Sequence, residues 1–336
     1  MQDSTSLIHA IEQRASDVTV VKGQPLAWRR NRKVTLDCDR MVSETEFKAL
    51  YEIAGNPANG QVFGLTYKDR RFRGIYTFTD NGPKFQLRLL PEKIPELDSL
   101  GPPPAFADLL VNHRGLIIVT GATGSGKSTT LAAAIDRINR TRELNIITLE
   151  DPIEYLHQHK KCYVSQRQLG RDTQNYAEGI REAMREDPDV LMVGELRDLE
   201  AIHAALTLAE TGHLVFGTLH TKDAPGSITR IIDADPNPET VSIFSHSFLG
   251  VLAQQLLPTK KDGLVAAYEL MLRTPALLEN IRSRSITAIR NDLKSRAHKD
   301  SCSMDASIEK LYRDAKISRE TALSYAYDPE KLAKQI

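Results

Sequence analysis

Gly121-Ala122-Thr123-Gly124-Ser125-Gly126-Lys127-Ser128 is the stretch from which the rest of the chain can be read. It matches GxxxxGK[ST] in full and follows the apolar run Leu116-Ile117-Ile118-Val119-Thr120. Backbone N–H groups can wrap phosphate oxygens closely only where side chains do not intervene, which is why glycine recurs. Lys127 supplies a point charge for the β- and γ-phosphates, and Ser128 offers a hydroxyl to Mg²⁺. A helix opening near Lys127 adds the positive end of its dipole. The strand–loop–helix setting separates this stretch from a chance glycine turn. Gly121, Ala122, Thr123, Gly124, Ser125, Gly126, Lys127, Ser128 and Thr129 are therefore the candidate nucleotide cradle. No Asn-Lys-x-Asp run, the usual guanine reader, occurs in the chain. ATP is expected, with Mg²⁺.

Outward from the cradle, apolar strands alternate with amphipathic helices. Leu131, Ala134, Ile135 and Ile138 line a helix, and residues 145–149 read as a strand. Ala177, Ile180 and Met184 mark another helix, and residues 190–193 another strand. Leu199, Ile202, Leu206 and Ala209 mark the next helix, ended by Gly212 before a strand at 214–219. Such alternation predicts a mainly parallel sheet covered by helices on both faces. The last eighty or so residues are expected to be mostly helical, with Phe244, Phe248, Leu252 and Leu256 as one stripe.

Strand ends in such a sheet are where ligands bind. Residues 145–149 run into Glu150-Asp151-Pro152-Ile153-Glu154. One of these carboxylates could orient an attacking water, but the run also reads as an acidic helix start, and pattern alone favours the latter. Residues 190–193 end in Gly194-Glu195, a Walker B-like strand delivering a carboxylate to Mg²⁺ and water, with Glu195 where an aspartate is usual. His220 ends the next strand and His213 begins it. A lone histidine is usually structural, but His220, at the strand end next to the phosphate site, is equally a candidate γ-phosphate sensor. Arg73, Arg88, Arg181, Arg185, Arg197 and Arg230 are candidates for a guanidinium inserted at the transferring phosphoryl group, set against the ordinary fate of arginine on a solvated surface.

The first ninety residues read as a small α+β domain. Leu7, Ile8 and Ile11 give a helical stripe, and residues 18–21 a β-branched run. Ser43 and Glu46 form a capping box for a helix with Phe47, Leu50, Tyr51 and Ala54 on one face, stopped by Gly55-Asn56-Pro57. Strand-like runs follow at 61–67, 71–78 and 84–90. Residues 91–104, with five prolines, read as a stiff connector rather than a core element.

Composition excludes several classes. Lys plus Arg and Asp plus Glu are 44 each in 336 residues, so no global charge draws the chain to nucleic acid or anionic lipid. The local run Arg29, Arg30, Arg32 and Lys33 reads as a solvated strand end. Cys38, Cys162 and Cys302 fit neither a zinc site nor a disulfide framework, which points to a reducing compartment. Asp3, Glu12 and their polar neighbours do not form a signal peptide, and no apolar run is long enough to span a bilayer. A cytoplasmic protein, reaching a membrane only through a partner, is expected.

Taken in order, GATGSGKSTT, ITLEDPIEY, REDPDVLMVGELRDLEAI and ETGHLVFGTLHT resemble the Walker A, Asp box, Walker B and His box of the type II/IV secretion ATPase family. The resemblance is strongest to its PilT-like branch, with DotB/TraJ-like ATPases as near relatives. It extends from Ala15-Ser16-Asp17 to residues 318–330. It implies a PAS-like α+β N-terminal domain at 1–90, a proline-rich linker at 91–104 and a RecA-like ATPase domain at 105–336 with a helical C-terminal portion. It further implies a homohexamer whose hydrolysis drives domain rotation against an inner-membrane platform protein, without nucleic acid or direct membrane insertion. Glu154 would be the water-activating glutamate, and Glu195 the Walker B glutamate. His213 and His220 would flank the nucleotide, and Arg73 and Arg88 would reach it across domains or subunits.

The chain departs from that pattern in places. The first domain is shorter, and Gly74-Ile75 follows Arg73 where the family has Val-Asn. The retraction-associated AIRNL run reads Leu277-Leu278-Glu279-Asn280-Ile281-Arg282, with an AIRN at 288–291 too late to replace it. No cysteine quartet is present, which argues against the zinc-carrying extension branch. The expectation is a motor for type IV pilus retraction and twitching, of the type IVb kind. The rival is a conjugative or type IVB secretion ATPase. A RecA-like nucleic-acid motor is opposed by the balanced charge and the lack of a basic, aromatic loop. A regulatory subunit that only binds nucleotide is opposed by the intact Glu154 and Glu195.

Overall fold

The computed structural model describes residues 5–13, 15–30, 33–261, 263–294 and 299–336. Asp3 and Arg32, used in the reading above, lie outside the described residues. Two compact units emerge, Met1–Lys93 with Pro152–Leu156, and Ile94–Asp151 with His157–Ile336.

The first unit contains α1 (Thr5–Glu12), β1 (Asp17–Val21), β2 (Pro25–Arg30), β3 (Lys33–Met41), α2 (Glu44–Ile53), β4 (Val62–Tyr67), β5 (Arg70–Thr79) and β6 (Gly82–Leu89). Its strands form one sheet in the order β3-β2-β1-β6-β5-β4, antiparallel throughout. Leu7 of α1 and Phe47 and Leu50 of α2 pack with Val18, Val20, Phe72, Phe85 and Leu87 on one face of that sheet. Half of the expected capping box is present: Glu46 N–H donates to Ser43 Oγ at 3.1 Å. The Glu46 carboxylate instead accepts from the Ser6 hydroxyl of α1 at 2.5 Å, tying the two helices together. Gly74 has a packing reason. It pairs with Phe63, and a Cβ there would lie 2.3 Å from the Phe63 ring and 2.7 Å from Leu87.

The second unit opens with α3 (Leu97–Leu100), inside the segment expected to be only a connector, and α4 (Pro104–Leu109), which begins at that segment's last residue. Leu97 is buried in the core instead, because four residues form a helical turn that turns one apolar side chain inward. There follow β7 (Gly115–Thr120), α5 (Lys127–Thr141), β8 (Asn145–Glu150), β9 (Tyr163–Gln168), α6 (Tyr176–Ala183), β10 (Val190–Val193), α7 (Leu199–Glu210), β11 (Leu214–Leu219), α8 (Ala224–Ala234), α9 (Pro238–Ser247), β12 (Phe248–Pro258) and β13 (Leu264–Leu272). The chain ends in α10 (Pro275–Arg282), α11 (Ile286–Lys294), α12 (Met304–Arg313), α13 (Arg319–Tyr325) and α14 (Pro329–Ala333).

The sheet order is β13-β12-β7-β11-β10-β8-β9, parallel except for β13. Every residue of β7, β10 and β11 is buried, as two-sided helical cover requires. The stripe Phe244, Phe248, Leu252 and Leu256 is not one helix. The chain leaves α9 at Ser247 and enters β12, whose first seven residues are all buried. A strand buried on both faces has no alternation, so its apolar run mimics a helical period.

Glu269 on β13 is 2% exposed and bridges two helix N-termini, accepting from Ala224 N at 2.8 Å and Met304 N at 3.2 Å. Burial outweighs those hydrogen bonds and pushes its pKa up to about 7 from 4.5, with Asp223 and Asp305 nearby adding to the rise. A carboxyl whose folded pKa is raised stabilises fully below its unfolded value and loses that contribution as pH climbs through the folded one. Stability should therefore fall between about pH 4.5 and pH 8 by up to about 3 kcal/mol from this group. Chemical denaturation across that range should show the slope in wild type and a flatter one in Glu269→Gln.

Candidate functional site

The phosphate cradle is built by the β7–α5 turn. Gly121, Gly124 and Gly126 have φ of 144°, 79° and 89°, a region open to glycine at little steric cost. At Gly121 a Cβ would also lie 2.4 Å from the Gln254 carbonyl. Lys127 Nζ donates to Gly121 O at 2.8 Å and Ala122 O at 3.1 Å, which folds its stem over the loop. Gln254 of β12, buried, donates from Nε2 to Ser125 O at 2.6 Å and so anchors the loop's far side. Ser128 and Thr129 occupy the first turn of α5, with Ser128 exposed.

Beside this loop the C-terminal ends of β10 and β11 bring Glu195 and His220 together, with Nε2 to Oε1 at 3.6 Å and both side chains partly exposed. The surrounding backbone is held by hydrogen bonds between the strands. Leu196 N donates to Thr218 O at 2.9 Å, and the Thr218 hydroxyl donates to Gly194 O. Thr120, the last residue of β7, shares a 2.7 Å hydroxyl contact with Thr221, and the Thr221 hydroxyl is in turn 2.5 Å from that of Ser227. A cleft of about 420 Å³ is lined by residues 122–125, His220, Lys222, Leu256 and Tyr325, among others. Gly194 is required by crowding, since a Cβ would lie 2.9 Å from both Leu149 O and the Tyr176 hydroxyl.

Tyr176 itself was not foreseen. It reads as one more apolar residue of α6, yet its buried hydroxyl lies among acids. Burial, followed by the charges of Asp151, Glu195 and Glu150, keeps its proton bound far above the ordinary phenol range. Gln254 was also missed, hidden in a run taken for helix.

The other candidates are distributed as follows. In the first unit, Glu154 faces Arg73, Nη1 to Oε1 at 3.8 Å. Arg88 pairs with Arg73 across β5 and β6, but its guanidinium goes to Asp17 at 2.8 Å. In the second unit, Glu150 accepts from Thr148 at 2.7 Å and Gln166 at 3.0 Å. Arg181 pairs with Glu200 at 2.9 Å, while Arg197 and Arg230 are exposed. Arg185 lies in the short 3₁₀ turn after α6, near Arg167, Glu182 and Glu186. His213 does not join His220. It precedes β11 and bonds Leu208 O at 3.0 Å, and a six-residue strand puts it ~20 Å from the other end.

Mg²⁺ fits the donor types available. No group of three His, Cys, Asp or Glu capable of holding a metal is found among the described residues. A hydroxyl and a carboxylate, Ser128 and Glu195, are the hard oxygen ligands with which Mg²⁺ is held when phosphate and water complete its shell.

Comparison with known proteins agrees with this geometry. The chain is 43% identical over 264 residues to the type IV pilus retraction ATPase PilT of Pseudomonas aeruginosa, covering 77% of this chain and 76% of that one. It is 40% identical over 288 residues to the uncharacterised protein YggR of Escherichia coli, covering 81% and 86%. Among solved structures, the pilus retraction motor PilT with bound ADP superposes with a TM-score of 0.90 at 38% identity, covering 99% of each chain. The ATPase DotB of Legionella pneumophila superposes at 0.78 with 26% identity, covering 94% and 93%. The mixed α/β fold read from the sequence is thus the fold found. The family described as type II/IV secretion system protein matches residues 5–267, well over half of the chain. With its phosphate loop, its Glu195–His220 pair and these relatives, the chain belongs to the type II/IV secretion system protein family.

Proposed function

We propose that this chain is an ATP-hydrolysing motor that powers type IV pilus retraction, working as a homohexamer against an inner-membrane platform protein. The observation that carries the reading is the Glu195–His220 pair at adjacent strand ends beside the phosphate loop. Carboxylate and imidazole side by side at that place suit water orientation and γ-phosphate contact, and the PilT relatives supply the direction of work. ATP is the substrate, and Mg²⁺, when bound, would neutralise phosphate charge. Lys127 and the glycine-lined amides bind the phosphates, and Ser128 and Glu195 would hold the ion. Glu154 accepts the proton of the attacking water. Arg73, 3.8 Å from Glu154, pairs with that carboxylate until a phosphoryl group competes for the guanidinium. Arg88, Arg230 and His213 act on a neighbouring subunit's nucleotide.

The division into a PAS-like domain at 1–90, a linker at 91–104 and an ATPase domain at 105–336 belongs to the same proposal. So does a cytoplasmic place at the inner membrane; among the described residues no helix is long and apolar enough to cross a bilayer. The likeness to DotB supports a second reading, a conjugative or type IVB secretion ATPase with the same chemistry and another partner.

The test is the Mg-ATPase rate per subunit against protein concentration, with mass followed by light scattering, in wild type and Glu154→Ala. A rate that rises with assembly to about six subunits and vanishes in the variant is expected. A monomer that binds ATP without turnover would refute it. Loss of twitching but not of secretion on gene deletion would separate the two partners.

A further inference from the structure

Beyond the cleft, three contacts from the C-terminal part of the second unit converge on one short segment. The Tyr327 hydroxyl donates to Lys222 O, and the Lys222 ammonium lies over the Tyr327 ring, 4.9 Å from its centre. Arg290 of α11 reaches Asp223, Nη1 to Oδ2 at 3.3 Å, while Asp223 caps α8 by accepting from Gly226 N at 2.6 Å. Glu269 accepts from Ala224 N at 2.8 Å. Residues 222, 223 and 224 are each held, by three different elements. His220 is two residues before them, at the open end of β11.

The opposite flank of His220 is held from within the sheet. Thr120 accepts from Thr221 N at 3.1 Å and donates to Leu219 O at 3.0 Å. His220 therefore sits between a sheet-side anchor and a helix-side anchor, with its imidazole 3.6 Å from Glu195. Its own side chain is about half exposed, so packing alone does not fix it. The helix-side anchor has its own support. Tyr327 follows α13, its N–H donates to Asp305 of α12 at 2.7 Å, and α12 to α14 pack a small core of Met304, Ile308, Leu311, Ile317, Ala322 and Leu332 on Leu257 and Ala267. The hydroxyl of Tyr327 adds nothing to that core. Its acceptor is a loop carbonyl beside the cleft.

We propose that Tyr327 is a positioning residue for ATP hydrolysis, acting through Lys222 to hold His220 against Glu195. The C-terminal helices are thereby coupled to the chemical step and not to nucleotide affinity, since none of these contacts falls on residues 121–129. The inference rests on the ATPase reading of the cleft.

The test is a double-mutant cycle of Tyr327→Phe and His220→Ala on the full-length protein, reading kcat and KM for ATP, ATP affinity and thermal midpoint. Tyr327→Phe keeps the ring and its cation contact and removes only the hydroxyl. It should lower kcat by about fivefold to tenfold with KM and affinity unchanged and the midpoint lowered by no more than about 5 °C, as loss of one hydrogen bond predicts. In a His220→Ala background the same substitution should have no further effect, because the residue it positions is gone. Equal losses in both backgrounds, an effect on KM in place of kcat, or an unchanged kcat would each overturn the proposal. Turnover by wild type in the same assay keeps that failure distinct from a failure of the ATPase reading.

Discussion

Lys127→Ala is expected to weaken Mg-ATP binding by roughly 100-fold, about 2.7 kcal/mol, and to remove turnover at cellular ATP concentrations. Two losses combine. The ammonium that meets the β- and γ-phosphates disappears, and so does the tie from Nζ to Gly121 O and Ala122 O that closes the loop on itself. The fold should not suffer. Lys127 opens α5, alanine is the best helix former, and the side chain is partly exposed. Titration calorimetry with Mg-ATP, beside circular dichroism, separates affinity from folding. Wild-type affinity in the variant would mean that the cradle binds something other than nucleotide phosphate.

Glu195→Gln should act at a different point. The amide keeps the volume and one acceptor oxygen but gives up the charge that faces His220 at 3.6 Å and suits Mg²⁺. Its neighbours are tied through backbone atoms, Gly194 N to Leu149 O at 2.7 Å and Leu196 N to Thr218 O at 2.9 Å, so the strand end should hold its shape. Binding should stay within severalfold of wild type while kcat falls by about 10³, in the range seen when one proton-handling group is removed. Stopped-flow binding of a fluorescent ATP analogue together with phosphate release reads the two numbers. A variant that turns over near the wild-type rate would remove Glu195 from the chemistry and leave Glu154 as the carboxylate that carries it.

The pH behaviour of the protein brings a third group into view. Glu269 links α8 and α12, so its titration reaches the same segment that Tyr327 holds. Turnover should therefore be measured at one pH when the Tyr327 cycle is run.

What was legible in the sequence was local. The cradle is eight consecutive residues whose glycines, lysine and serine are each demanded by phosphate and Mg²⁺. The strand before it and the helix after it follow from an apolar run and a 3.6-residue stripe, and Glu195 is visible because a short buried strand must end at the ligand side of the sheet. Ser43, a helix N-cap, is equally a matter of adjacent residues.

Other features were decided only when the chain closed on itself. β12 was misread because burial on both faces erases the alternation that marks a strand. Its insertion beside β7 is what brings Gln254 to Ser125, 129 residues apart, and the return of the C-terminal helices is what brings Tyr327 to Lys222, 105 apart. Tyr176 looks apolar until its hydroxyl is seen among three carboxylates. The sequence by itself determined which chemistry the chain carries, because phosphate recognition needs residues a few bonds apart. Only the tertiary structure decided which side chains position that chemistry, because strand order, and no local pattern, sets which distant residues meet.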